Sequence, residues 1–420
     1  MSFRYTALRL GLASTLAITA SVLPAAAAAD EAALQAHLQQ LEDELRLMKT
    51  ELAGMREDNA EKAATAASPG SNTPTLFSYG EINYNRPTHD SNAAQADARR
   101  VILGLEQRLD EHNKVAMEIE FEHAVTAAPD DPGEVAIEQA FVEHQITATL
   151  SARGGLFLIP MGFLNENHEP TAFYGVERNY VETAIIPSTW REGGFTLIGT
   201  LDNGLTLEGG ISTGFNLGKW DATTGDGQES PLGSVHQELA KAKARDLSVF
   251  AAANWRGIPG LQLGISAFTG AVGQDTPTLA DSRLLLWDVH ARWTPGKWDL
   301  SALYARGTLS NTAAFNRTIV GNPALVPELF EGRYAQVAYR LWANDNYSLS
   351  PFARLETYNT GARYTDIGAG LTPDALPTQH VATLGANIGI GKSVVVKMDG
   401  QRSRSNSALD RIDLGIGWSF

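Results

Sequence analysis

The 420-residue chain has no cysteine, which excludes disulfide frameworks, thiolate nucleophiles and cysteine-ligated zinc. Past the N-terminal region no stretch approaches the ~18 to 20 consecutive apolar residues of a membrane helix. Any crossing of a bilayer must therefore be made by strands. The nine histidines are scattered, and none shows the H-E-x-x-H spacing of a metal-binding helix. No serine has a recognisable histidine partner or stands in a nucleophile elbow. Asp221 to Glu229 contains a GDG turn without the full EF-hand spacing. His168 beside Glu169 looks like an acid–base pair, but adjacent loop residues rarely converge on one proton. No catalytic residue, metal or cofactor is expected, and the chain does not read as an enzyme. Basic residues are also short, 33 Lys and Arg against 48 Asp and Glu for a net charge of −15, so nucleic acid is a poor partner.

Arg4 and Arg9 precede an apolar run from Leu10 to Leu23 and small residues from Ala25 to Ala29, which predicts a secretory signal over residues 1–29. Leu34, Leu38, Leu41, Leu45, Met48, Leu52 and Met55 follow at alternating spacings of four and three, with Asn59 at the next core position. This is a coiled-coil seam, and the pairs Glu44 with Lys49 and Glu51 with Arg56 suit its flanks. Residues 30–62 are expected to self-associate as a helix of roughly 50 Å at 1.5 Å per residue. Residues 63–74, rich in Ala, Ser, Thr, Gly and Pro, read as a linker.

From Thr75 to the C-terminus, alternating segments of strand length recur, about sixteen in number. Short connections fall at 110–113, 147–150, 202–204, 256–260, 294–297, 343–346 and 389–393. Longer polar ones fall at 86–97, 124–134, 161–193, 216–245, 271–281, 310–332 and 359–378, with a brief last one at 403–408. Short and long alternate, the pattern of periplasmic turns and extracellular loops. A soluble sandwich has no reason to sort its loops this way. Trp255, Trp293, Trp298, Trp342 and Trp418 all fall near the short-turn end, as an interfacial girdle would. In the last segment Ile412, Leu414, Ile416, Trp418 and Phe420 share one face, while Asp413, Gly415, Gly417 and Ser419 share the other. The fold class expected for 75–420 is all-β, a 16-stranded antiparallel transmembrane β-barrel preceded by the short coiled-coil helix. Its glycine-containing, mixed-charge inner faces suit an open lumen.

A final strand ending on Phe420 resembles those of bacterial outer-membrane proteins, in which a terminal aromatic serves as the assembly signal. Leu156 to Pro170 (LFLIPMGFLNENHEP), Phe173, Arg178 and Ile186 to Gly193 (IPSTWREG) resemble the phosphate-selective porin O and P family, most specifically across residues 153–194. That resemblance implies a homotrimer in the outer membrane with its coiled coil in the periplasm. It also implies passive diffusion of ions and small hydrophilic solutes, phosphate or other anions among them. The loop after the fifth strand, 161–193, would fold inward as the constriction. Candidates there are Glu166, His168, Glu169, Tyr174, Glu177, Arg178 and Arg191. Strand parity aims Arg100, Arg108, Lys114, Glu118, Glu120, Glu122, Arg292, Arg340, Arg354, Lys397 and Arg411 into the lumen. Unlike the family, this loop has no lysine, and the inward charges are of both signs. A general or weakly cation-preferring pore is therefore expected. The competing reading is an envelope anchor whose coiled coil binds the cell wall or a partner.

Overall fold

A computed structural model of the chain describes residues 73–126, 133–368 and 370–420. The expected signal segment, the coiled coil and nearly all of the linker lie outside the described residues. The first strands are β1 (Thr75–Pro87), β2 (Gln95–Arg108), β3 (Asn113–Glu122), β4 (Glu134–Thr147), β5 (Leu150–Leu158) and β6 (Arg191–Thr200). Next come β7 (Leu205–Ser212), β8 (Ser248–Ile258), β9 (Leu261–Ala271), β10 (Arg283–Trp293), β11 (Trp298–Ser310) and β12 (Leu329–Tyr339). The last are β13 (Trp342–Ala343), β14 (Tyr347–Arg363), β15 (Gln379–Ile390), β16 (Val394–Ser403) and β17 (Arg411–Ser419).

Neighbours pair antiparallel, and β1 pairs with β17 from Tyr79↔Ser419 to Pro87↔Arg411, so the sheet closes on itself. β13 continues β12 past a break at Arg340 and Leu341, and both pair with β14. The seventeen segments thus form sixteen staves. Closure leaves no unpaired edge, which hydrocarbon surroundings require. Boundaries move slightly from expectation. β8 runs on to Ile258, leaving a turn of Pro259 and Gly260, and β14 continues past Asn359 to Arg363. Gly296 and Gly391, at φ +60° and +62° in short turns, have nothing near a Cβ position, so backbone conformation and not crowding calls for glycine. Trp293, Trp298 and Trp342 are about half exposed at this same end.

The closing strand shows the polarity of the wall. Ile412 and Leu414 are 55% and 48% exposed, whereas Asp413 between them is 0% exposed. Apolar side chains thus face out and the charge faces in, the arrangement of a barrel in lipid. Leu414→Arg is expected to cost about 2–4 kcal/mol, as arginine does near a bilayer midplane. The urea midpoint in lipid vesicles measures this; an unchanged midpoint would remove Leu414 from the lipid face.

The interior has two unlike sides, and here the expectation of an open lumen is corrected. On the β8–β12 side, near the long loops, the inner face is apolar, with Phe250, Phe268, Leu284, Leu286, Leu303 and Phe330 buried. Trp190, Phe215, Leu217, Leu232, Val235, Leu279 and Val326 from the long loops pack onto it as one core. No extra domain is needed to fill this part of the barrel, because the loops themselves are apolar enough to do so. The wall of β1–β4 and β14–β17 is lined mainly by polar and charged groups.

Candidate functional site

β5 ends at Leu158 and β6 begins at Arg191. Pro160, Pro170 and Pro187 lack the N–H that a ladder needs, so the segment between does not continue the sheet. Asn165 ties its neck. The side-chain amide donates to the carbonyls of Ile159 and Trp190, both at 2.8 Å, and its oxygen accepts from the Trp190 N–H at 2.7 Å. Glu182 organises its centre. That carboxylate accepts from the N–H groups of Phe163 (2.5 Å) and Leu164 (2.8 Å), the Asn179 amide (2.8 Å) and the Tyr334 hydroxyl (2.9 Å). Burial raises its pKa, although these donors pull the other way. The turn Val181–Ile185 lies on β12 at Gly332, where a Cβ would stand 3.1 Å from both Val181 and Ile185. A larger residue there would push the turn off the wall.

The loop reaches opposite sides of the ring. The His168 Nε2 lies 2.8 Å from Glu138 on β4 and 2.8 Å from the Tyr79 hydroxyl on β1, whereas Glu182 is held by Tyr334 on β12. β4 and β12 are eight staves apart in a ring of sixteen. A segment bonded to buried, inward side chains of both must run through the interior. Wall carboxylates also accept loop N–H groups: Asp288 from Gly162 (3.2 Å), Glu356 from Tyr180 (2.7 Å) and Asp399 from Val176 (2.6 Å). Asn387 donates to the Phe173 carbonyl at 3.0 Å, and Arg354 to that of Tyr174 at 3.2 Å. The bonds that involve Asp288, Glu356, Asp399 and Arg354 are charge-assisted, each worth about 1.5–3 kcal/mol. Together they make the loop part of the wall.

Of the constriction candidates, Glu166 is exposed, Glu169, Tyr174 and Glu177 are half-buried, and His168 and Arg178 are buried. Glu177 accepts from Asn83 (3.3 Å) and Asn85 (3.1 Å) on β1. Arg191 opens β6, so it belongs to the wall and not to the loop. The structure gathers Arg178 and Arg191 with Arg100, Glu118 and Glu120. Arg100 meets Glu81 at 3.0 Å and Glu120 at 3.6 Å; Arg191 meets Glu120 at 3.9 Å and Glu238 at 3.0 Å. Glu118 accepts from Gln139 at 2.7 Å. Arg178 donates to Ser188 and to Thr189 (3.1 Å). Burial, and then the like charge of Arg100, lowers the Arg178 pKa to about 10.

Other lumen candidates sit apart from this cluster, and several are paired: Lys114 with Glu106 (3.3 Å), Arg292 with Asp299 (2.6 Å), Arg354 with Glu356 (2.8 Å) and Arg411 with Asp413 (2.7 Å). Glu122 is half-buried at the long-loop end of β3, and the Lys397 Nζ lies 3.4 Å from the centre of the Phe173 ring. Arg108 and Arg340 are exposed at the short-turn rim, bonded at 3.4 Å to the carbonyls of Glu111 and Gly296. They are not part of the buried lumen wall, because parity gives the side of the sheet a residue takes but not its depth. Sequence reasoning missed Glu138 because it is the extra residue of a bulge opposite Glu118 and Ile119, where counting by twos fails. It missed Glu182 because three of its four partners are backbone N–H groups or a tyrosine distant in sequence.

No family model matches the chain. An uncharacterised protein of Aquifex aeolicus is 29% identical over 300 residues, which is 69% of this chain and 66% of that one, so the match spans less than two thirds of the relative. Among solved structures, Salmonella typhi OmpF in complex with daunomycin is similar at TM-score 0.55 and 15% identity over 83% of this chain and 98% of its own. Pseudomonas putida OprB is similar at TM-score 0.53 and 12% identity, over 83% and 94%. The fold is a porin-type antiparallel barrel.

Proposed function

We propose that this chain is an outer-membrane pore for passive diffusion of ions and small hydrophilic solutes, with loop 161–193 as its constriction. One observation carries the reading: inside a closed barrel with an apolar exterior, this loop is bonded to staves eight apart. What remains open beside it sets the size of solute that passes. The resemblance across 153–194 adds a homotrimer, joined through the 30–62 coiled coil on the periplasmic side, and a preference for phosphate or other anions. The charge arrangement supports a different selectivity. Arg100, Arg191, Arg292, Arg354 and Arg411 each lie against a carboxylate, so they do not form the single-sign ring that selects anions. The pore is general or weakly cation-preferring. Reversal potentials in a potassium chloride gradient across planar bilayers test this, and a value between zero and slightly cation-selective is expected. Clear anion preference, with phosphate blocking chloride current, would overturn it in favour of the family's activity.

The loop's contacts on both sides of the lumen, with the apolar core beside it, favour one second reading. In it the barrel is chiefly a membrane anchor, and the coiled coil grips the cell wall or a partner. Folded protein that forms no channels would select this reading. So would envelope defects on deleting 31–62 with conductance unchanged.

A further inference from the structure

On the outside of the barrel, at the long-loop end, three arginines and a histidine form a ledge across four staves. Arg333 on β12 stands opposite Thr357 on β14, and Thr357 stands opposite His380 on β15. The Arg404 N–H donates to the His380 carbonyl, and Arg402 pairs with Ala382 one step below. All four are exposed; Arg333 and Arg402 alternate with buried inward neighbours on their strands, and Arg404 stands just past the end of β16 beside exposed Ser405. In a chain this acidic such a group should attract carboxylates. Among the described residues, none forms an ion pair with Arg333, Arg402 or Arg404, and the side chains of these arginines make no hydrogen bond. Nearby Asp410 is already engaged by the Ser403 N–H at 2.6 Å and by His89 at 3.2 Å.

Directly beneath the ledge the surface is apolar. Leu384 is 70% exposed and Leu355 66%, with Met398 beside them. Below Arg402, the outward residues of β16 are Gly400, Met398, Val396 and Val394, none of them charged. Ala382 and Gly400 leave a slot, since nothing lies within 4 Å of a Cβ position at Gly400. The open cavity running from the ledge past Leu355 and Ala382 measures about 580 Å³. Eight residues of strand at ~3.3 Å each, tilted by ~40°, give an apolar band of roughly 20 Å below Arg402, close to the lipid-facing height of such barrels.

We propose that this ledge binds the phosphate-bearing headgroup of an anionic lipid in the outer leaflet, one acyl chain lying along the slot at Ala382 and Gly400. Arginine forks match phosphate oxygens in pairs, and the Thr357 hydroxyl, 3.2 Å from the His380 Nδ1, adds a polar neighbour. The apolar slot continuous with the ledge favours a lipid over free phosphate, which would use the arginines alone. The inference rests on the barrel lying in a membrane, as proposed above, but not on its conducting.

The full chain is reconstituted into phosphatidylcholine vesicles holding traces of spin-labelled phosphatidic acid or spin-labelled phosphatidylcholine, and the motionally restricted fraction is measured. Wild type is expected to prefer phosphatidic acid on the order of tenfold, because basic side chains at the headgroup level attract an anionic headgroup over a zwitterionic one. The triple variant Arg333→Ala, Arg402→Ala, Arg404→Ala should lose the preference, the corresponding lysine variant should retain most of it, and conductance should be unchanged in both. If the alanine variant does not fold, Arg402→Gln with Arg404→Gln carries the same comparison. Equal restriction of both lipids by wild type, or preference kept by the alanine variant, overturns the proposal while leaving the pore intact. Loss of the preference on adding inorganic phosphate at the concentration of the labelled lipid would identify a free-anion site and also overturn it. Failure to insert into vesicles would overturn both readings.

Discussion

Glu182→Ala is expected to release the inward loop and to raise single-channel conductance several-fold. The substitution removes the acceptor for two backbone N–H groups, an asparagine amide and a tyrosine hydroxyl, all at 2.5–2.9 Å. Each stranded donor costs about 1–3 kcal/mol, and with partial rescue by water the loss is on the order of 4 kcal/mol. That is enough to undock one side of a loop whose other anchors, at His168 and Val176, lie on different staves. Glu182→Gln keeps an acceptor oxygen and should fall between wild type and alanine. Conductance in planar bilayers is read alongside limited proteolysis within 159–190. Conductance and cleavage both identical to wild type would mean that Glu182 does not hold the constriction.

Trp190→Ala is expected to destabilise the barrel by about 3–5 kcal/mol, the range for truncating a fully buried large aromatic. The Trp190 ring is 4.9 Å from that of Phe215 and 4.6 Å from that of Phe268, so it joins the 159–190 loop, the 213–247 loop and strand β9. Its Nε1 donates to Glu192 at 3.0 Å. Both long loops lose a common support at once. The urea midpoint in vesicles and proteolysis of the 213–247 loop should move together. Trp190→Phe, which keeps the ring contacts but leaves Glu192 short of one donor, should recover most of the loss. An unchanged midpoint for the alanine variant would show that the lumenal core bears little of the stability.

Much of the wall is legible in the chain because its signals are local. In β17, Leu414 and Asp413 declare opposite faces by parity alone, and lipid on one side with lumen on the other enforces that alternation along every stave. Loop length is equally direct, and it distinguishes the two ends before any pairing is known. Parity fails where a bulge inserts a residue, as at Glu138, and where a side chain's depth matters, as for Arg108 and Arg340. The apolar lumen on one side was hidden for another reason. Phe268 and Leu286 alternate as a lipid-facing strand might, and only the loops laid against them reveal a core.

The sequence by itself determined the strand pattern, the sorting of loops to two ends, the girdle tryptophans and the mixed signs of the inward charges. Periodicity and composition act over a few residues, so they survive without knowledge of the partner strands. Only the tertiary structure decided which charges meet, that 159–190 crosses the lumen from β4 to β12, and that Arg333, His380, Arg402 and Arg404 form one ledge. Those contacts join residues tens to hundreds of positions apart, and closing the ring of sixteen staves is what brings them together.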